Sequence, residues 1–218
     1  FDPNHGHRVP GFNYQGADKL GREFYEMCQK SNPDFLMVGE GCYDLQSQYY
    51  GTYTRADYWH EPVLRYIDPT VPIACAVIDH NDLNHVNMCL ADRYAMSYEV
   101  RNFKGHLGEF PRVMAYGRKV DNLRRRYADF LWNGEFLDVL GATVKGDNIR
   151  YTVFRNLKNG KKAVVVYNVD TKKANTASVS IDGSSAPLVM ASPEKPAPAK
   201  FTGSVTLGPQ SAVVIMEK

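Results

Sequence analysis

Apolar residues along the first part of the chain recur at steps of three and four. Leu20, Phe24, Met27 and Cys28 form one face, which predicts a helix over 16–31 that Asn32-Pro33-Asp34 terminates. Phe35-Leu-Met-Val-Gly39 is a short continuous apolar run, the pattern of a strand buried on both faces, with Glu40 and Gly41 at its end. Residues 42–54 are polar and tyrosine-rich and read as a loop. Residues 56–67 read as helix interrupted at Pro62. Pro72 to Ile78 is a second apolar run, closed by Asp79-His80-Asn81-Asp82. Leu83, Val86, Leu90, Tyr94 and Ser97 then predict a helix over 83–99. Pro111 opens a longer one to about Trp132, through Val113, Tyr116, Val120, Leu123, Tyr127, Phe130 and Leu131. Short buried strands alternating with helices imply a parallel α/β arrangement over about 1–142.

From about 148 the period changes to two. Strands are expected at Ile149 to Val153, Ala163 to Tyr167, Val179 to Ile181, Leu188 to Ala191, Phe201 to Leu207 and Ala212 to Met216. Asn159-Gly160 signals a hairpin and Asp182-Gly183 a second turn. Residues 147–218 thus predict a small antiparallel β-sandwich domain. That stretch holds no His and no Cys, so the candidate chemistry lies upstream.

Charge sharpens the division. The 218 residues carry 26 Lys and Arg against 24 Asp and Glu. Residues 148–218 hold ten basic against four acidic, leaving sixteen against twenty before them. A solvated lysine face accounts for the basic excess. A net charge of +2 gives no field that calls for nucleic acid or an anionic membrane, and no apolar run reaches the ~18 residues of a membrane span. Cys28, Cys42, Cys75 and Cys89 form no metal-binding spacing and read as buried thiols, with one disulfide left open. The sequence contains no GxSxG, GxGxxG or P-loop, against serine-hydrolase, dinucleotide and NTP chemistry. The chain begins at Phe1, so the lack of a signal peptide leaves the compartment open.

Several short motifs then coincide. Phe35-Leu-Met-Val-Gly-Glu40 resembles the fifth-strand motif of the alpha-amylase superfamily and of the related endo-alpha-N-acetylgalactosaminidases. Asp79-His80-Asn81-Asp82 loosely resembles their late-strand Asn-His-Asp segment. The ending Leu207-Gly-Pro-Gln-Ser-Ala-Val-Val-Ile is similar to the last strand of the sandwich that follows many α-glycosidase barrels. The resemblance implies a glycoside hydrolase with a (β/α)8 TIM-type barrel and a C-terminal β-sandwich. Such a barrel needs ~200–250 residues, so the residues before the sandwich supply its last βα units only. The N-terminal barrel half is then the expected partner, and the chain alone is expected to be inactive.

Glycoside cleavage needs two carboxyls flanking the bond. By resemblance Glu40 is the acid/base and Asp2 the nucleophile, which implies retention of configuration. Their structural alternatives are an ion pair for Glu40 and a turn Asp before Pro3 for Asp2. Asp79 is a candidate for holding sugar hydroxyls, or else a helix cap, a role that Asp82 fills as well. His5, His7 and His80 are candidate donors to hydroxyls, or ordinary loop residues. Tyr43, Tyr49, Tyr50, Tyr53, Tyr58 and Trp59 crowd the segment after Glu40. Aromatic faces there suit sugar stacking, with Tyr43 and Trp59 the chosen candidates, or the segment packs on itself. Arg124-Arg125-Arg126 reads as a solvated helix face. The expected substrate is an oligosaccharide or glycoside, with no cofactor, no metal, no nucleic acid and no membrane. An extracytoplasmic or secreted location is favoured. Two rival readings stand beside it: a non-catalytic carbohydrate-binding or scaffold fragment, and a metal-dependent hydrolase using His5, His7 and Asp79.

Overall fold

The computed structural model describes residues 12–40, 50–55, 65–66, 69–78, 82–98 and 105–218. The chain divides into two compact units, Phe1–Cys75 and Ala76–Lys218.

In the first unit α1 spans Phe12–Ser31, four residues longer at its start than its periodicity predicts. Asn32 ends it: its backbone N–H still reaches the Cys28 carbonyl at 2.9 Å, while its side chain accepts from Asp34 N–H at 3.1 Å in an Asx turn. Gln29 Nε2 donates to the Phe35 carbonyl at 2.8 Å and ties the helix to the approach of β1 (Met37–Glu40). β1 pairs in parallel with β2 (Tyr50–Arg55), Met37 opposite Tyr50 and Glu40 opposite Tyr53. The expected 42–54 loop is corrected at its end, where Tyr50 and Tyr53 belong to a strand. Backbone pairing across the sheet outweighed the polar composition that suggested a loop. β3 (Ile73–Ala76) neighbours β2. On the expected apolar face of α1, Leu20, Phe24 and Met27 are 48%, 47% and 55% exposed. Periodicity defines an amphipathic face, but not whether something covers it.

The second unit starts with the buried end of the second apolar run, Ala76, Val77 and Ile78. Asp82 caps α2 (Leu83–Ala91), its carboxylate accepting from Asn84 N–H at 2.8 Å. The helix stops eight residues before the expected end. Arg93 takes a left-handed φ of 57°, and the chain turns into β4 (Ala95–Ser97), whose Ser97 carbonyl accepts from Val77 N–H at 3.0 Å. Tyr94 is buried as expected, but past the helix. A short 3-10 turn (Leu107–Glu109) precedes α3 (Pro111–Arg126), with Pro111 in its first turn. Its buried stripe is Val113, Tyr116, Val120 and Leu123, as the spacing predicts. The helix breaks at Tyr127 and resumes as α4 (Ala128–Leu131), so the single long helix is corrected to two.

Nine strands follow: β5 (Glu135–Phe136), β6 (Ala142–Lys145), β7 (Ile149–Arg155), β8 (Lys162–Asn168), β9 (Asn175–Ile181), β10 (Leu188–Ala191), β11 (Ala199–Lys200), β12 (Ser204–Leu207) and β13 (Ala212–Glu217). They form two antiparallel sheets, ordered β11-β10-β13-β8-β7-β5 and β12-β9-β6. Ala142, Val153, Val164, Val166, Val179 and Ile215 are among the side chains that merge into one core. Gly160, at φ 72°, supplies the positive dihedral of the expected β7–β8 hairpin.

Two strands show how burial reads out. β9 alternates buried and exposed positions, as a strand with one wet face must. β8 is buried from Ala163 to Asn168 without alternation. One of its faces enters the inter-sheet core; α2 and α4 pack against the strand. Thr152 on β7 adds a hydrogen bond from its hydroxyl to the Ala91 carbonyl at the end of α2, 2.7 Å. The helices and the two sheets therefore share one compact unit.

Candidate functional site

Glu40 is the last residue of β1, at the end of a parallel-paired strand. Asp2, His5, His7, Tyr43, Trp59, Asp79 and His80 lie outside the described residues, as does the side chain of Glu40. Among the described residues no three His, Cys, Asp or Glu side chains gather to hold a metal ion. Cys75 and Cys89 are buried thiols and Cys28 is half-buried.

The described chemistry concentrates where the second apolar run ends and α2 begins. Asp82 is the last residue of the Asp79-His80-Asn81-Asp82 segment. Its Oδ1 accepts from Asn84 N–H and from the Gln210 side-chain amide. Gln210 sits in the turn between β12 and β13, 4% exposed, at a left-handed φ of 52°. Its Oε1 accepts from Arg112 Nη2 at 2.9 Å, and its backbone carbonyl from Asn87 Nδ2 at 3.0 Å. Asn87 Oδ1 in turn accepts from the Tyr116 hydroxyl at 2.7 Å. Burial pushes the Tyr116 phenol well above its ordinary range, so it stays a neutral donor. Asn84 Nδ2 reaches the Val169 carbonyl at 2.9 Å. The arrangement is a polar junction, buried at Asn87, Tyr116 and Gln210 and open to solvent at Arg112, that joins the starts of α2 and α3 to the turns of the sheets. A carboxylate, a neutral amide and a guanidinium stand in line, each donor facing an acceptor. Sequence reasoning found Asp82 as a cap but not Gln210, Arg112 or Asn87, because no local spacing links residues so far apart in the chain.

A second polar feature was misread. Arg125 and Arg126 are exposed, as expected of a solvated face, but Arg124 is 3% exposed. It follows Leu123 on the inward side of α3. Its guanidinium donates to the Tyr94 carbonyl at 2.8 Å and the Cys89 carbonyl at 2.5 Å, and lies 4.8 Å over the Trp132 ring. These carbonyls close the C-terminal end of α2, where a cation is favoured. The basic excess of residues 148–218, by contrast, is spent on exposed single contacts such as Lys158 to Asp129 and Arg155 to Glu135.

No protein-family model matches the sequence, and no curated protein sequence matches it significantly. Solved structures do. The fold is similar to that of CldA, a cyclomaltodextrin glucanotransferase with a three-domain ABC distribution, at a TM-score of 0.55 and 11% identity. The match covers 91% of this chain and 53% of that one. Amy13B of Eubacterium rectale matches at 0.49 and 13% identity, over 95% and 57% of the two chains. A Paenibacillus polymyxa xyloglucanase of glycoside hydrolase family 44 matches at 0.37 and 15%, over 71% and 34%. The chain spans little more than half the length of the first two. At such identities the likeness to the glucanotransferase is one of fold alone. Among the described residues no helix is long and apolar enough to cross a membrane.

Proposed function

We propose that residues 1–142 are the second half of a (β/α)8 glycosidase barrel and residues 147–218 its appended β-sandwich. The observation that carries this reading is the fold likeness to the glucanotransferase over nine-tenths of the chain. The backbone position of Glu40 supports it, because barrel enzymes place catalytic side chains at the C-terminal ends of parallel strands.

In this reading Glu40 protonates the leaving glycosidic oxygen while Asp2 attacks the anomeric carbon, forming a glycosyl-enzyme ester. Glu40 then takes a proton from water, which displaces Asp2 and returns the original configuration. Asp79, His80, His5 and His7 hold sugar hydroxyls, and Tyr43 and Trp59 stack on the ring faces. The two carboxyls complete the cycle without a cofactor. The partners are an oligosaccharide or glycoside substrate and the N-terminal half of the barrel, and an extracytoplasmic location suits such a substrate.

The test is Glu40→Gln in the protein carrying the complete barrel. Hydrolysis should fall by about 10²–10⁴-fold, the range for a lost general acid, while glycan binding persists. Full hydrolysis by the variant would sink the assignment. Binding by the wild type without turnover would replace it with the carbohydrate-binding reading. Turnover by the 218 residues alone would overturn the half-barrel division.

A further inference from the structure

We infer that β12 is an open sheet edge through which two copies of this chain pair, antiparallel, across a two-fold axis at Val205. The inference is independent of the glycosidase reading.

Four strands end the two antiparallel sheets: β5, β11, β6 and β12. β5 and β11 are two residues each, and β6 ends in Lys145. Very short strands and edge lysines are common guards against pairing with another chain. β12, Ser204-Val-Thr-Leu207, has four residues with no charge and no proline. Its phase on β9 is fixed. Val179 N–H donates to the Gly203 carbonyl at 2.9 Å, and the register sets Ser204 opposite Ser178 and Thr206 opposite Thr176. Antiparallel pairs alternate between hydrogen-bonded and non-hydrogen-bonded positions. Gly203, Val205 and Leu207 therefore bond to β9, while the N–H and C=O of Ser204 and Thr206 point away from it. Among the described residues no strand lies on that side.

These outward groups complement themselves. With Val205 opposite its own copy, Ser204 of one chain meets Thr206 of the other, and the reverse. Each such pair exchanges two N–H···O=C bonds, and one two-fold axis relates the pairs. The wet face agrees. Thr176, Ser178, Ser204 and Thr206 are exposed, and the Thr176 and Thr206 hydroxyls share a hydrogen bond at 2.9 Å. Pairing continues that row into Ser204 and Ser178 of the second copy, with no charge on β12 to oppose it. On the inner side Val205, half-buried at the margin of the core, gains cover from its own copy. A foreign extended peptide would draw its specificity from side-chain pockets beside the edge, and side chains this short build no pocket walls. A second copy needs none, because symmetry fixes its register.

Two four-residue strands bury far less than the ~1,200 Å² of a stable specific interface, so the dimer is weak and forms at about 0.1–1 mM chain. In the full protein, amide exchange at Ser204 and Thr206 should slow about two- to tenfold between about 10 μM and about 1 mM chain. The Val205 N–H, held by β9, is the internal control and should not respond. Val205→Lys and Val205→Glu each place like charges opposite each other on the axis, so each alone should lose the concentration dependence. An equimolar mixture of the two should restore it. Thr206→Pro removes an outward N–H and no bond to β9; it too should abolish the dependence, and it serves where a charge at position 205 unfolds the sheet. Exchange at Ser204 and Thr206 that ignores concentration in the wild type overturns the inference. So does a mixture of folded variants that behaves as each does alone, a Thr206→Pro chain that still associates, or slowing that comes only when an extended peptide is added.

Discussion

Arg124→Met tests the physical account of the second unit most directly. The substitution conserves much of the side-chain volume and removes the charge and all donors. Two carbonyls lose a charged partner, at 2.8 Å from Tyr94 and 2.5 Å from Cys89. The Cys89 carbonyl still accepts from the Tyr94 N–H at 2.9 Å, so its loss is the smaller, about 1 kcal/mol. The Tyr94 carbonyl loses a charge-assisted bond in a buried setting, about 2 kcal/mol. The contact over Trp132, 4.8 Å from its ring centroid, adds about 1 kcal/mol. Against this stands the relief of a desolvated cation. Burial lowers the pKa of Arg124, and its Nε has no acceptor among the described residues. The net expectation is a loss of about 3 kcal/mol, or roughly 10 °C in Tm for a unit of this size. Arg124→Lys should lose nearly as much, because one ammonium cannot span both carbonyls and cover the indole. Urea unfolding gives the free energy, with the m-value checking that the unfolded state is unchanged. A loss below about 1 kcal/mol for Arg124→Met, at constant m, would refute the reasoning. It would show that desolvation of the guanidinium cancels its contacts.

The remaining predictions concern titration, the Asp82–Gln210 contact and the proposed acid, Glu40. The Lys172 and Lys173 backbone N–H groups hold the Asp170 carboxyl below its ordinary range. Its contribution to stability is therefore present above its unfolded pKa and lost as pH falls through the depressed folded value. Asp170→Asn keeps the Asx-type acceptor, so it should flatten the acid limb of Tm against pH; an unchanged limb sinks the claim. Burial, with Asp92 adding to it, pushes the Tyr167 phenol up to about 12, and Tyr116 is pushed further by the same cause. Their neutral forms stabilise the fold below about pH 10, the unfolded value, and that contribution is lost as pH climbs through the folded one. Phenolate absorbance of these two rings should then rise only together with alkaline unfolding; full tyrosine ionisation in a protein still folded by circular dichroism would contradict this. Gln210→Gly removes the side-chain donor to Asp82, so hydrogen exchange of the Asn84 amide should accelerate by about tenfold or more; unchanged exchange would contradict the pairing. If the proposed glycosidase reading holds, Glu40→Gln in the protein with the complete barrel should cut hydrolysis by about 10²–10⁴-fold while sparing glycan binding.

Much of the molecule was legible in short windows of sequence. The buried stripe of α3, the Asp82 cap, the β7–β8 hairpin and the strands from 149 onward follow from spacing, capping chemistry and turn residues, all of which act over a few positions. The fold likeness agrees with the resemblance read from Phe35 to Glu40 and from the closing strand only at the level of architecture. The candidate carboxylates remain a reading of residue type and place.

The misread elements share a cause. The early end of α2 depends on a left-handed turn at Arg93, a residue with no intrinsic preference for one, followed by burial of Tyr94. The unbroken burial of β8 depends on helices packing against it from distant parts of the chain. Arg124 and its exposed neighbour Arg125 are the same residue type one step apart on a helix. The helical period turns Arg124 inward with Val120 and Leu123, and the carbonyls and indole of distant residues make a guanidinium tolerable there. Sequence by itself determined periods, caps and turns, because their free energies arise between near neighbours. Tertiary structure decided which polar groups were buried and paired. A buried donor is tolerable only where a distant part of the chain brings its acceptor, as at Gln210 and Asp82.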